Sequence, residues 1–205
     1  MVSATWTVPT LDCRITPNAF STAWVGVGGF GHEAIWPFPQ AGSDSNCVKG
    51  HQVNDFWCTH ETFTQYVISP GDVIETRIFR KREAWFCSVN DVTARRSDVK
   101  ILNYKYGGST GTSEWIVEST TISVGGKAMI GKLADFGRLT FSDMRISPGE
   151  FKPADQESQD DIMMTGPNGQ VIASPSWSAD AMTIFYKGPP ELVDSNCQRF
   201  CQQLF

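Results

Sequence analysis

The chain has 205 residues, of which 40% are hydrophobic and 19% are charged, and its formal net charge is -5 at pH 7. These proportions allow a sizeable core and exclude disorder of the whole chain. The acidic balance argues against a nucleic-acid surface, and no run of about 18 apolar residues is present to cross a membrane.

Short segments rich in β-branched and aromatic residues predict β-strands along most of the chain. In chain order they are 5–8, 23–27, 73–79, 84–89 and 114–118. Turn signals of Gly, Pro and Asn separate them. The pattern predicts an all-β, antiparallel sandwich or barrel, and the length fits one domain. Helix is expected at most within 190–204.

The first nine residues contain neither a basic nor an apolar region, so we expect no signal peptide in this chain. Six cysteines are too few for a disulfide scaffold at this length, although one or two structural disulfides fit. Cys197 and Cys201 stand four apart, which matches neither a CxxC motif nor half of a zinc site. They are a terminal staple or two free thiols.

The segment 114–118 reads Glu-Trp-Ile-Val-Glu. Alternate side chains of a strand share a face, so Glu114 and Glu118 point one way while Trp115 and Val117 point the other. We expect Trp115 and Val117 to lie in the core. By pattern alone the two glutamates are an ordinary solvent-facing pair.

The segment 40–44 reads Gln-Ala-Gly-Ser-Asp and follows a Pro-Phe-Pro run. By pattern alone Gln40 is a loop amide and Asp44 is a turn residue. Trp24 and Trp57 are equally compatible with plain core packing. If segments 40–44 and 114–118 come together, they place a neutral amide and a carboxylate on the inner face of a β-sandwich.

Five segments, in this order, resemble landmarks of the eqolisins, the fungal acid glutamic peptidases: 24–26, 40–44, 69–72, 114–118 and 134–141. The resemblance extends from about Ala4 to Tyr186. It implies two packed, curved sheets of the concanavalin A (lectin-like) type. It also implies a single glutamic-peptidase-like domain over 1–205, in which 189–205 is a cysteine-containing tail.

By this resemblance the catalytic residues are Gln40 and Glu118, and the substrate-binding residues are Trp24, Asp44, Trp57 and Glu114. A carboxylate takes a proton from the attacking water, and a carboxamide donates to the oxyanion without ever ionising. Because its partner is an amide, Glu118 escapes the repulsion between paired carboxylates. From an ordinary pKa of about 4.3, we expect it to stay ionised at moderately acidic pH, and an acid optimum to follow, provided that burial does not raise the pKa far. The resemblance implies a pepstatin-insensitive acid endopeptidase.

Three positions depart from the family pattern. Gly28 stands where the family often has aspartate, and Thr59 and His60 stand where it commonly has glutamate and tryptophan. The chain also begins at the family's second strand, so we expect an open sheet edge or a shortened cleft. A second hypothesis is therefore a degenerate sandwich that binds peptide or glycan without cleaving it. A third is a metal-binding protein using His51, Cys58 and His60.

The resemblance further implies polypeptide substrates, no cofactor, no metal and secretion into an acidic medium. We expect a monomer with no nucleic-acid or membrane partner. Cys13 and Cys47 flank the strand and loop that carry Gln40, and a bond between them would brace that loop. Such a bond requires Cα atoms within about 7 Å of each other.

Overall fold

The computed structural model describes residues 1–31, 37–59, 61–62, 67–102, 105–124, 126–146, 160–166, 168–178 and 181–188. Within these ranges the regular structure consists of strands, and no helix is present. The strands are β1 (Val2–Thr7), β2 (Ala19–Val27), β3 (Gln40–Val48), β4 (His51–Cys58), β5 (Glu61–Thr62), β6 (Val73–Lys81), β7 (Ala84–Asp91), β8 (Arg96–Ile101), β9 (Ser113–Glu118), β10 (Thr121–Val124), β11 (Lys127–Ile130), β12 (Arg138–Ile146), β13 (Met164–Thr165), β14 (Val171–Trp177) and β15 (Met182–Tyr186).

The strands form two main sheets. An eight-stranded sheet has the order β13-β14-β15-β12-β1-β6-β7-β8, and a five-stranded sheet has the order β5-β4-β3-β2-β9. Strands β10 and β11 form a separate hairpin. Neighbouring strands run antiparallel throughout these sheets. The predicted all-β antiparallel sandwich is confirmed, and each of the five predicted strands overlaps an observed one.

The core lies between the two sheets, where both contribute buried apolar side chains. Alternation along β7 shows why: Trp85, Cys87 and Val89 are buried, while the side chains between them are half-buried. A period of two sends every second side chain of a strand to one face. The indole N–H of Trp6 on β1 crosses the core and donates to Ser43 Oγ on β3 at 3.0 Å.

Strand β2, which lies between β3 and β9, is buried on both of its faces, with only Phe20 partly open. One face packs into the core through Ala23 and Val25. On neighbouring β9, Val117 belongs to the core and Trp115 packs against it, as predicted. The second face of β2 is buried by the side chains of the candidate site.

Two disulfides join described residues. Cys13 and Cys47 are bonded with Cα atoms 5.3 Å apart, inside the limit set for that pairing. Cys58 on β4 is bonded to Cys87 on β7, which fastens the five-stranded sheet to the eight-stranded one. Since Cys58 is not a free thiolate, the metal hypothesis built on it is wrong. No cluster of metal-ligating side chains occurs among the described residues.

Several expectations fall on parts of the chain outside the described residues. They concern His60, Cys197, Cys201 and the helix expected within 190–204. Among the described segments, none is a helix of the length and apolarity needed to cross a membrane.

Candidate active site

Three rows of side chains cross the five-stranded sheet on the face away from the core. Strand register puts Gly26 between Gln40 and Glu114, and it puts Thr22 between Asp44 and Glu118. The row between these two contains Trp24, flanked by Gly42 and Ile116, with Trp57 beyond Gly42. We call this surface the acid face and define it by Thr22, Trp24, Gly26, Gln40, Asp44, Asp55, Trp57, Thr59, Glu114 and Glu118.

The acid face is the outer face of its sheet, so the expected inner-face position of the amide and carboxylate is wrong. Core packing occupies the odd positions of β2, β3 and β9, including Ala23, Ala41 and Val117. The even positions of the same strands must therefore point the other way. Gln40 and Glu118 both occupy even positions.

Gln40 is the first residue of strand β3, so the prediction that it lies in a loop is wrong. Asp44 lies in the middle of β3, so the prediction that it is a turn residue is also wrong. The sequence of β3 is rich in turn-forming residues, but β3 pairs with β2 on one side and β4 on the other. Two ladders of hydrogen bonds override local propensity here. Gln40 is 6% exposed.

Glu118 ends strand β9 and is held by Trp24. The indole N–H of Trp24 donates to Glu118 Oε1 at 3.0 Å. The pKa of Glu118 is raised to about 7, chiefly by burial; the Trp24 hydrogen bond opposes this rise and the charge of Asp44 adds to it. Glu118 therefore holds a proton at moderately acidic pH, contrary to the expectation that it would be ionised there.

Asp44 is held in the same way by a second tryptophan. The Trp57 indole N–H donates to Asp44 Oδ1 at 2.9 Å and lies 3.3 Å from Thr22 Oγ1. Burial raises the pKa of Asp44; the hydrogen bonds from Thr22 and Trp57 oppose this, and the charge of Asp55 reinforces it. Asp44 and Glu118, both half-buried, thus each have one indole donor.

Glu114 is 9% exposed, so its reading as a solvent-facing residue is wrong. Its Oε1 accepts the Gly29 N–H at 3.2 Å. Its Oε2 is buried without a hydrogen-bond partner among the described residues. Burial raises the pKa of Glu114, while the Thr112 hydroxyl and the Gly29 N–H lower it.

Gly28 has a structural reason to be glycine. Its φ is +82°, and a Cβ atom at this position would lie 2.0 Å from the carbonyl oxygen of Ser109 and 2.4 Å from the hydroxyl of Tyr106. That hydroxyl donates to the Gly28 carbonyl oxygen at 2.8 Å. The aspartate that the family often has here does not fit this backbone.

Thr59 contacts the catalytic candidate Gln40 through the main chain. Its N–H donates to the Gln40 carbonyl oxygen at 2.8 Å, and its Oγ1 donates to the same oxygen at 3.3 Å. The hydroxyl is therefore engaged with backbone. It does not replace the proton-carrying carboxylate that the family commonly has at this position.

Sequence reasoning missed Thr22 and Tyr106. Thr22 lies two residues before Trp24 on β2, so the period of two that placed the glutamates would also have placed Thr22 on the acid face. Tyr106 reaches Gly28 across 78 residues of sequence, and no local signal predicts such a contact.

The fold is a β-sandwich of the kind found in the glutamic peptidases. SCP-B, a member of the Eqolisin family solved in a complex with the tripeptide Ala-Ile-His, matches with a TM-score of 0.74 and 25% identity over 91% of each chain. Scytalido-glutamic peptidase, solved with a peptide-based transition state analogue, matches at 0.72 and 22% over 91% of each chain. Aspergilloglutamic peptidase from Aspergillus niger matches at 0.65 and 24%, over 82% of this chain and 99% of that one.

The chain belongs to the peptidase A4 family, whose family model matches residues 1–186. The resemblance to the eqolisins is confirmed, and the family supports a peptidase function. A comparison with curated proteins gives no match. The tail 189–205 lies outside the family match.

Proposed function

We propose that the chain is an endopeptidase in which Glu118 activates water and Gln40 stabilises the oxyanion. The observation that carries this proposal is the indole bond from Trp24 to Glu118 Oε1. It fixes one carboxyl oxygen of a half-buried acid on the same sheet face as a neutral carboxamide. The other oxygen, Oε2, remains for a water molecule.

Glu118 acts as the base. In its ionised form Oε2 takes a proton from a water that attacks the scissile carbonyl carbon, and the protonated acid then gives a proton to the leaving amine. A pKa of about 7 makes Glu118 a stronger base than an exposed glutamate. The same pKa makes its protonated form an adequate acid for the second step.

Gln40 acts as the electrophile. Its carboxamide NH₂ donates to the carbonyl oxygen as negative charge develops there, and it keeps this ability at every working pH. Gln40 and Glu118 stand on strands that flank β2, four positions apart along it, with Trp24 in the row between them. Substrate is proposed to lie over Trp24, with contributions from Trp57 and Asp44.

Cleavage of a diverse peptide mixture, read by mass spectrometry from pH 3 to pH 8, tests the proposal. Glu118→Gln and Gln40→Ala are expected to lose at least about 10²-fold in kcat/KM. Glu83→Gln is the matched control, because this carboxylate is 90% exposed and pairs with Arg80 on the surface. Wild-type protein no more active than Glu118→Gln would contradict the proposal.

A second candidate function is binding of a peptide or glycan without cleavage. The observations that favour it are the proton held by Glu118 at acidic pH and the absence of a carboxylate at Gly28. Saturable binding of a denatured polypeptide that survives intact across the whole pH range would establish this function instead.

The proposed substrates are polypeptides. This rests on the neighbours, since SCP-B holds a tripeptide and scytalido-glutamic peptidase holds a peptide-based analogue. We also propose an extracellular location, supported by two disulfides in the described part of the chain. Such bonds persist in oxidising compartments. Free-thiol titration of protein purified from culture medium tests this, and reduced cysteines at 13, 47, 58 and 87 would contradict it.

A further inference from the structure

Thr59 extends the β3–β4 ladder by one residue beyond its last regular pair. That pair joins Ala41 to Cys58. Opposite Gln40, Thr59 then places both its N–H and its hydroxyl on the Gln40 carbonyl oxygen, at 2.8 Å and 3.3 Å. Both donors therefore bind the peptide group between Gln40 and Ala41.

The preceding peptide unit is fixed as well. The N–H of Val27 donates to the carbonyl oxygen of Pro39 at 3.0 Å. Gln40 is thus held from β2 at the carbonyl before it and from Thr59 at its own carbonyl. Because it begins its strand, Gln40 would otherwise be exposed to fraying at this end.

Thr59 adopts a backbone conformation that its side chain disfavours. Its φ is +47°, in the left-handed region, which is an outlier for a β-branched residue. Conformations of this kind cost of order 1–3 kcal/mol and persist only where surrounding structure imposes them. Thr59 is 5% exposed and begins the tight turn from β4 into β5, a setting in which positive φ is common.

The residue before Thr59 is immobilised by a covalent bond. Cys58 is joined to Cys87 on the opposite sheet, and both are almost fully buried. The disulfide anchors the chain immediately before Thr59, where β4 ends and the turn into β5 begins. Thr59 is therefore held on one side by the Cys58–Cys87 disulfide and on the other by its two hydrogen bonds to the Gln40 carbonyl oxygen.

We propose that Thr59 is a positioning residue that sets the direction of the Gln40 carboxamide through the Gln40 main chain. This inference rests on the proposed function for its catalytic consequence. The strained turn brings N–H and Oγ1 to one acceptor, and the two bonds fix the peptide plane from which the Gln40 side chain departs. Thr59 itself does not touch the substrate.

Two substitutions separate the hydroxyl from the shape of the side chain. Thr59→Val keeps the branched shape and the N–H but removes the Oγ1 bond, while Thr59→Ser keeps the hydroxyl. Thr59→Val is expected to lower kcat about tenfold with KM within twofold, since small misplacements of catalytic groups reduce rate strongly. Thr59→Ser is expected to stay within about twofold in both constants.

A second readout does not depend on activity. The side-chain NH₂ of Gln40 gives a pair of ¹H–¹⁵N signals, assigned as the pair that disappears in Gln40→Glu. These signals are expected to shift or broaden in Thr59→Val and to stay in place in Thr59→Ser. Thr140→Val is the control, because it removes a hydroxyl bonded to Thr183 on the exposed surface of the other sheet.

The outcomes distinguish this inference from the proposed function. If wild-type protein cleaves nothing but the Gln40 signals move only in Thr59→Val, the positioning role stands and the peptidase proposal fails. If Thr59→Val leaves both the signals and kcat unchanged, the positioning role is overturned. Equal losses in Thr59→Val and Thr59→Ser, with matching drops in Tm, would also overturn it, since they indicate general destabilisation.

Discussion

Glu114 and Glu118 share one face of β9, yet their surroundings suit different tasks. Glu114 Oε1 is occupied by the Gly29 N–H, and its buried Oε2 lies over Gly26, where the Trp24 and Phe38 rings also pack. A water molecule has no open approach to that oxygen. Glu118 has one oxygen fixed by Trp24, and this difference makes it the better candidate for the base.

The raised pKa of Glu118 predicts how stability depends on pH. Between about pH 4.5 and pH 7 the folded protein keeps a proton on Glu118 that the unfolded chain has released. The folded state binds more protons, so its free energy of unfolding falls as pH rises through this window. The loss is roughly 3 kcal/mol for this group, and below the window the group has no effect.

Glu118→Gln tests this expectation, because glutamine does not titrate. Urea denaturation at pH 4 and pH 8 is expected to show a smaller loss of stability in the variant than in wild type. Asp44 and Glu114 also have raised pKa values and leave part of the slope in place. Identical slopes for the two proteins would show that Glu118 is not buried as described.

The pH dependence of peptidase activity is expected to follow the ionisation of Glu118. If Glu118 is the base, kcat/KM is expected to rise with pH, to reach half of its maximum near pH 7 and to level off above that, where the carboxylate form is dominant. The check is a full pH profile with one peptide substrate. A maximum below pH 4 would mean that the protonated form is required, and it would remove Glu118 from the role of base.

Trp24→Phe probes the indole bond at the same residue scale. The change keeps an aromatic ring but removes the N–H that stabilises the ionised form of Glu118. Hydrogen bonds to charged groups contribute about 1.5–3 kcal/mol, so the rising limb of the pH profile is expected to move upward by about one pH unit or more. Trp177→Phe, which removes an exposed indole bond to Asp161, is the control.

At the scale of elements, the sequence predicted five of the fifteen strands in the described part of the chain, and β3 shows one reason why others were missed. Segments 73–79 and 84–89 alternate clearly and appear within β6 and β7. Strand β3 contains Gly42, Ser43, Asp44 and Asn46, all of which favour turns. Its partners β2 and β4 determine its conformation, and pairing between distant segments is not encoded in local composition.

Glycine replaces the family's aspartate at position 28 because neighbouring segments of the chain leave no room for a side chain there. Restoring the family aspartate by Gly28→Asp is expected to destabilise the fold by about 2 kcal/mol or more, because the new Cβ would collide with the Ser109 backbone. Gly31→Asp is the matched control, since its φ is also positive, at +94°, and nothing lies within 4 Å of its Cβ position. Equal changes in Tm for the two variants would contradict the steric argument.

At the scale of the whole molecule, the Cys58–Cys87 bond joins the two sheets across the core. Its removal in the double variant Cys58→Ala, Cys87→Ala is expected to lower the free energy of unfolding by about 2–4 kcal/mol. Urea titration of the oxidised proteins measures this. A loss below about 0.5 kcal/mol would show that core packing alone holds the sheets together.

The sandwich class was predictable because strand periodicity and turn signals recur along the chain. The outward position of the site was not, because periodicity separates two faces without saying which one packs. Only the partner sheet decides that Ala23, Ala41 and Val117 point inward and that Gln40 and Glu118 point outward.

The parity of positions along β9 has a consequence for how this protein can change. Even-numbered residues of β9 belong to the acid face and odd-numbered residues pack into the core, so alternate residues of one strand form two different surfaces. Deleting one residue at the start of β9 would exchange the two sets. Trp115 and Val117 would then face solvent, two carboxyls would enter the core, and fold and site would be lost in a single step. Substitutions at even positions leave the core residues of β9 unchanged. New substrate specificities can therefore arise at these positions while the fold is kept.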